Sequence, residues 1–207
     1  MIIIGDKLQI EIMDEEYQAI RNDKNNADVY LFGELVGYAD GVDCLEADMS
    51  LARLKDSLGS EKKLLDFLKY SIGEFFVVLQ DNDSINVYTS PKGPGFFHYM
   101  KDKKRIITMD ELKAGRDCIA YGLNEMEILH QITTSVKPPY SPFTTIFTAL
   151  KRAPGCTVTT FNRSMDYSTR YYFLHIAEID KKRKHDYALF KKIFEDTTYL
   201  VCKDDTF

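Results

Sequence analysis

The stretch Gly73-Glu74-Phe75-Phe76-Val77-Val78-Leu79-Gln80, followed by Asp81-Asn82-Asp83-Ser84 and then Ile85-Asn86-Val87-Tyr88-Thr89, decides the fold class. The first eight residues form a near-continuous apolar run of strand length. The Asp/Asn/Ser cluster that follows is turn chemistry, because these short side chains hydrogen-bond the neighbouring backbone. A second β-prone run then returns, so the whole reads as a hairpin.

Working outward, residues 90–95 form a Pro/Gly-rich loop, and residues 96–100 and 105–108 read as two further strands around a charged turn. Pro154-Gly155 is a turn leading into a strand over residues 157–162, and residues 170–174 are another extended piece. Upstream, residues 7–13 alternate polar and apolar, and residues 29–36 read as a strand interrupted by Gly33. A glycine inside a strand predicts a bulge or a close backbone approach. Helical spacing of apolar residues appears over 50–58 and 61–70, then 124–132 with Asn124 as N-cap, a short helix over 144–150, and an amphipathic helix over 187–201. Paired strands with flanking helices, without a βαβ repeat, define an α+β fold.

The bulk numbers agree with one large domain or a domain with a small appendage. A chain of 207 residues can bury a full core without disulfides or a metal. The net charge of −5 disfavours a nucleic-acid surface, which is usually basic. The four cysteines (Cys44, Cys118, Cys156 and Cys202) are far apart and lack C-x-x-C spacing, as expected of reduced cytoplasmic thiols. The apolar start, MIIIGDKLQIEI, has no basic flank and no long apolar core, so it reads as a short strand and not a leader. No run approaches 18 apolar residues, so no membrane span is expected.

Three stretches, in order, resemble the N-terminal class II glutaminase domain of the asparagine synthetase family. Ile72-Gly73-Glu74-Phe75-Phe76-Val77-Val78-Leu79-Gln80-Asp81 is similar to its G-x-F-A-F-x-L-x-D strand and turn. Ser90-Pro91-Lys92-Gly93-Pro94-Gly95-Phe96-Phe97-His98-Tyr99 is similar to D-x-x-G-x-x-P-L-Y-Y. Thr145-Ile146-Phe147-Thr148-Ala149-Leu150-Lys151-Arg152-Ala153-Pro154-Gly155-Cys156, followed by Arg170-Tyr171-Tyr172, is similar to T-x-F-x-x-I-x-x-x-x-P-G and then x-Y-W. The resemblance covers about half the chain and thins toward the N-terminus. It implies an N-terminal-nucleophile fold, an αββα sandwich of two antiparallel sheets, here shortened at the N-terminus. It also implies a division into a glutaminase-like domain over residues 1–180 and a basic linker and helix over 181–207. That helix would lead toward an ATP-pyrophosphatase synthetase domain, so the chain is expected to be a piece of a longer protein.

The family's reaction requires a cysteine at the first position, whose α-amino group serves as base. Met1-Ile2-Ile3 stands there instead, and the earliest cysteine is Cys44. The family also holds its oxyanion with an Asn-Gly pair followed by a substrate-binding Glu. The matching residues are Phe32-Gly33-Glu34, so Gly33 and Glu34 remain as a remnant substrate site while Phe32 replaces the amide donor. Loss of one such donor typically lowers rate by about 10²–10³. The family's R-G-P-D stretch is missing as well. The resemblance therefore implies a non-catalytic domain, with no catalytic residue and no cofactor in this chain, and with ATP and Mg belonging to the parent's synthetase domain. Its expected partner is that domain, in the same protein or as a separate subunit, or a second copy of this chain. Two alternatives stay open: an active glutamine-hydrolysing amidotransferase with another nucleophile, and a stand-alone amino-acid-binding module using Glu34.

Other constellations favour ordinary roles. His98, His130, His175 and His185 lack metal-ligand spacing. Gly93-Pro94-Gly95 lacks the Lys-Ser/Thr of a phosphate loop, and its proline removes a donor N–H. Lys181-Lys182-Arg183-Lys184 reads as a solvated linker, and Cys156 as a buried thiol. Tyr140, Phe143, Phe147 and Phe161 read as core around the Pro-Gly turn, with part of them available to a docking partner.

Overall fold

The computed structural model describes residues 2–4, 8, 10–12, 17–22, 27–40, 43–81, 83–91, 97–100, 105–108, 122–133, 143–164, 166–172 and 195. Its strands are β1 (Ile2–Ile4), β2 (Ile10–Ile12), β3 (Tyr17–Asn22), β4 (Ala27–Asp40), β5 (Asp43–Glu46), β6 (Ser71–Gln80), β7 (Ser84–Thr89), β8 (Phe97–Met100), β9 (Arg105–Thr108), β10 (Leu150–Ala153), β11 (Thr157–Asn162) and β12 (Tyr167–Tyr171). Helices α1 (Ala47–Ser57) and α2 (Glu61–Tyr70) lie between β5 and β6, and α3 (Glu125–Thr133) lies between β9 and β10. The strands form two antiparallel sheets. One has the order β10-β8-β9-β1-β2; the other has the order β12-β11-β7-β6-β4-β3, with β5 also pairing β4. The protein is α+β, as its hairpins and helical spacings predict.

The apolar run of β6 is continuous because both of its faces are covered. Phe76 and Val78 point into a core shared with Phe32, Ile85, Val87 and Phe161 of the same sheet and with Phe97, Tyr99 and Ala153 of the other. Phe75 and Val77 point the opposite way, into a second core built with Leu54, Leu64, Phe67 and Leu68 of the helical pair. Alternation along one strand thus supplies both layers. Full burial of a side chain of this size contributes roughly 1.5–3 kcal/mol. The Tyr38 ring stacks on Phe67, with centroids 5.1 Å apart, and ties the end of β4 to α2.

Local chemistry fixes the boundaries. Ser60 caps α2, its hydroxyl accepting from the Lys63 N–H at 3.3 Å, and the Ser71 hydroxyl donates to the Leu68 carbonyl where the helix ends. The β6–β7 turn is organised by Asp81, whose carboxylate accepts from the N–H groups of Asp83 and Ser84 and from the Ser84 hydroxyl. Burial alone would raise the Asp81 pKa, but these three donors together hold it below the ordinary carboxylate value. Asn124 caps α3 as expected, accepting from the Glu127 N–H.

The expected helix over residues 144–150 does not form. Its backbone groups pair elsewhere: Asn124 N–H donates to the Ile146 carbonyl, and Thr148 N–H donates to the Gly122 carbonyl. Leu123 and Phe147 form an isolated bridge, as do Thr144 and Lys151. The Thr145 hydroxyl accepts from the Phe147 N–H and lies within hydrogen-bonding distance of the Phe147 and Leu150 carbonyls. A hydroxyl that takes local backbone groups competes with the helix, and here tertiary pairing completes the displacement. The expected strand over 170–174 instead begins at Tyr167 and ends at Tyr171. The expected linker at 181–184 and the charged turn at 101–104 lie outside the described residues, as does the helix over 187–201 apart from the helical residue 195.

Candidate functional site

Gly33 and Glu34 sit in β4 opposite Phe75 and Glu74 of β6, and the next pair joins Leu35 to Gly73. Gly33 has φ +85 and Gly73 has φ +135, and a Cβ on either would run into a backbone carbonyl of the facing strand, Glu74 or Glu34 respectively. The close approach expected at Gly33 is therefore present and reciprocal, and a register shift follows between Leu35 and Gly37. Glu34 and Glu74 face each other as an exposed pair of carboxylates. Register places them on the same face of the sheet as Phe32 and Phe76, at the end of the inter-sheet core. Phe32 is 5% exposed and stacks on Phe76 at 5.0 Å and 14°. Two packed rings thus fill the space beside Gly33 and Glu34.

A different cleft of about 310 Å³ is lined by Tyr99, Phe143, Thr144, Lys151, Tyr167 and Thr169. Strands from both sheets build it: Lys151 from edge strand β10 lies beside Tyr99 of β8, and Tyr167 and Thr169 come from edge strand β12. The rings of Tyr99 and Tyr167 meet edge to face at 5.0 Å, and the Tyr99 hydroxyl lies 3.3 Å from the Thr169 hydroxyl. Burial raises the Tyr99 pKa to about 12, so this phenol stays protonated and can donate. Phe143, held by its contact with Tyr171 at 5.9 Å, forms part of the outer wall. Of the aromatic residues expected to form core or docking surface here, Phe147 and Phe161 are buried, Phe143 lines the cleft, and Tyr140 lies outside the described residues. The walls of the cleft come from separate strands and a loop, a juxtaposition that no local pattern announces.

A third constellation is structural. The Thr89 hydroxyl accepts from the Thr157 N–H at 2.9 Å, and the Ser90 hydroxyl donates to the Gly73 carbonyl at 3.0 Å. Cys156, at φ 61, directs its thiol toward the Pro91 carbonyl at 3.7 Å, and burial raises its pKa. That thiol is a poor nucleophile, consistent with the buried role expected of it. His98 is buried within β8. Among the described residues no group of three or more His, Cys, Asp or Glu could hold a metal ion. No described helix is long and apolar enough to cross a membrane.

No protein-family model matches the chain, and no curated protein is detectably similar to it.

Proposed function

We propose that this chain is a non-catalytic glutaminase-like domain of an asparagine-synthetase-like, ATP-dependent amide ligase, serving as scaffold and interface. Two antiparallel sheets, packed through a shared core with helices α1 and α2 on one outer face, support assignment to an αββα sandwich of the N-terminal-nucleophile type. The observation that supports the non-catalytic reading is the Phe32–Phe76 stack beside Gly33-Glu34, which puts hydrocarbon where the resemblance implies a polar donor. An interface role is supported by α3, which exposes Met126, Leu129 and Ile132 at helical spacing. In this proposal that stripe meets the synthetase domain, where ATP and Mg act. Cytoplasmic location belongs to the same proposal.

The test is ammonia release from glutamine and from γ-glutamyl hydroxamate. None is expected, and release sensitive to a thiol reagent would overturn the reading. The parent's class is tested separately by the coding sequence beyond Phe207, where a Ser-Gly-Gly-x-Asp-Ser loop is expected. Its absence from the gene and from any co-purifying subunit would overturn the ligase assignment.

A further inference from the structure

We propose that the cleft between β8, β10 and β12 binds a small aromatic carboxylate. This rests on the cleft alone and is independent of the scaffold reading. The volume of about 310 Å³ lies at the small end of ligand pockets and suits a single ring with a short acidic arm. The half-buried rings of Tyr167 and Phe143 offer surface to a flat apolar body, with the buried Tyr99 ring packed behind Tyr167. Lys151 is the charged residue of the lining, and no ion-pair partner for it lies among the described residues. Thr144 and Thr169 complete the lining, with the Thr144 hydroxyl donating to Glu127 and the Thr169 hydroxyl hydrogen-bonded to that of Thr159. An ammonium beside aromatic walls recognises a carboxylate through charge-assisted hydrogen bonds. The same ammonium repels a cationic guest, so the aromatic walls do not act as a cage for amines.

The position strengthens the assignment. Tyr99 is 2% exposed and is fixed from behind by Phe97 at 5.5 Å and Phe161 at 5.7 Å, so this wall is rigid before any ligand arrives. Lys151 is anchored in β10 opposite Tyr99 and also bridges to Thr144. A preformed site loses little conformational freedom on binding. A second cleft of the same volume, between α2 and β12, offers no such selection: its lining mixes acids and bases, and Arg170 already pairs with Glu61 at 2.7 Å.

The experiment is titration of the intact chain with benzoate, cinnamate, acetate and benzylamine, followed by NMR shift perturbation and calorimetry. Benzoate and cinnamate are expected to bind at millimolar concentration or below and to perturb Tyr99, Tyr167 and Thr169. Acetate and benzylamine are expected to bind at least about tenfold more weakly, a tenfold change being the scale of one lost charged contact. Lys151→Met should weaken benzoate by about tenfold, Lys151→Arg should retain it, and Lys62→Met in the other cleft should leave it unchanged. Thermal melts of each variant establish that the fold persists. No binding by the wild-type chain would overturn the proposal. So would equal affinity for acetate or benzylamine, or unchanged affinity in a folded Lys151→Met variant.

Discussion

Arg152 Nη2 lies 3.0 Å from Glu127 Oε1, and both side chains are almost wholly buried. Glu127 also accepts from the Thr144 hydroxyl at 3.0 Å and from the Gln131 amide at 3.4 Å. Ala153, the next residue along β10, joins the inter-sheet core, so Arg152 projects from the opposite face, and the ion pair pins α3 there. Breaking a buried pair leaves one charge uncompensated. Glu127→Ala or Arg152→Ala is expected to lower stability by about 3–5 kcal/mol in urea unfolding. Glu127→Leu combined with Arg152→Met should lower it by less than either single change, because no charge is then stranded.

Thr89 holds the junction of β7 and β11. Thr89→Val keeps the shape but removes the acceptor for the buried Thr157 N–H. A loss of about 1–3 kcal/mol is expected, with Thr89→Ser losing less. Chemical denaturation of the pair measures both values.

The Gly33–Glu34 segment makes two predictions of opposite sign. Like charges directly across a ladder repel, so Glu34→Thr should raise stability by about 0.2–1 kcal/mol at low salt. That gain should shrink as added salt screens the exposed pair. Gly33→Ala should lower stability by more than about 1 kcal/mol, since it places a Cβ at positive φ against the Glu74 carbonyl. Thermal melts at two ionic strengths separate the effects.

Asp81 gives a pH dependence. Its folded pKa lies below the unfolded value, so its contribution is present above the ordinary carboxylate range and is lost as pH falls through the folded pKa. Asp81→Ala should therefore lower stability by about 1 kcal/mol near neutral pH. The difference from wild type should narrow below about pH 4. Urea midpoints across that range provide the check.

The hairpin at residues 73–89 was legible because its pattern is local: apolar run, Asx turn, return strand. The pair α1 and α2 was legible for the same reason, since Leu54, Leu64 and Leu68 recur at helical spacing. Gly33 announced a close approach, although its reciprocal partner Gly73 did not. Residues 144–150 misled because Ile146, Phe147 and Leu150 have helical spacing while their backbone partners lie at residues 122–124. The Glu127–Arg152 pair was missed because each residue, taken alone, has the appearance of a surface charge. Only the fold brings them together, as it does Lys151 and Tyr167.

The length of β4 governs how the chain can assemble. Tyr38 meets Ser71 directly across the helical pair, whereas Asp28 meets Gln80 farther out along the same ladder. Closing the shorter loop first loses less chain entropy. Helices relax in about a microsecond, well before such distant strands associate. Pairing of β4 with β6 is therefore expected to zip from the Tyr38–Ser71 end outward, and so many non-local pairings predict slow folding. Substitutions at that junction are expected to slow refolding in stopped-flow experiments more than they accelerate unfolding.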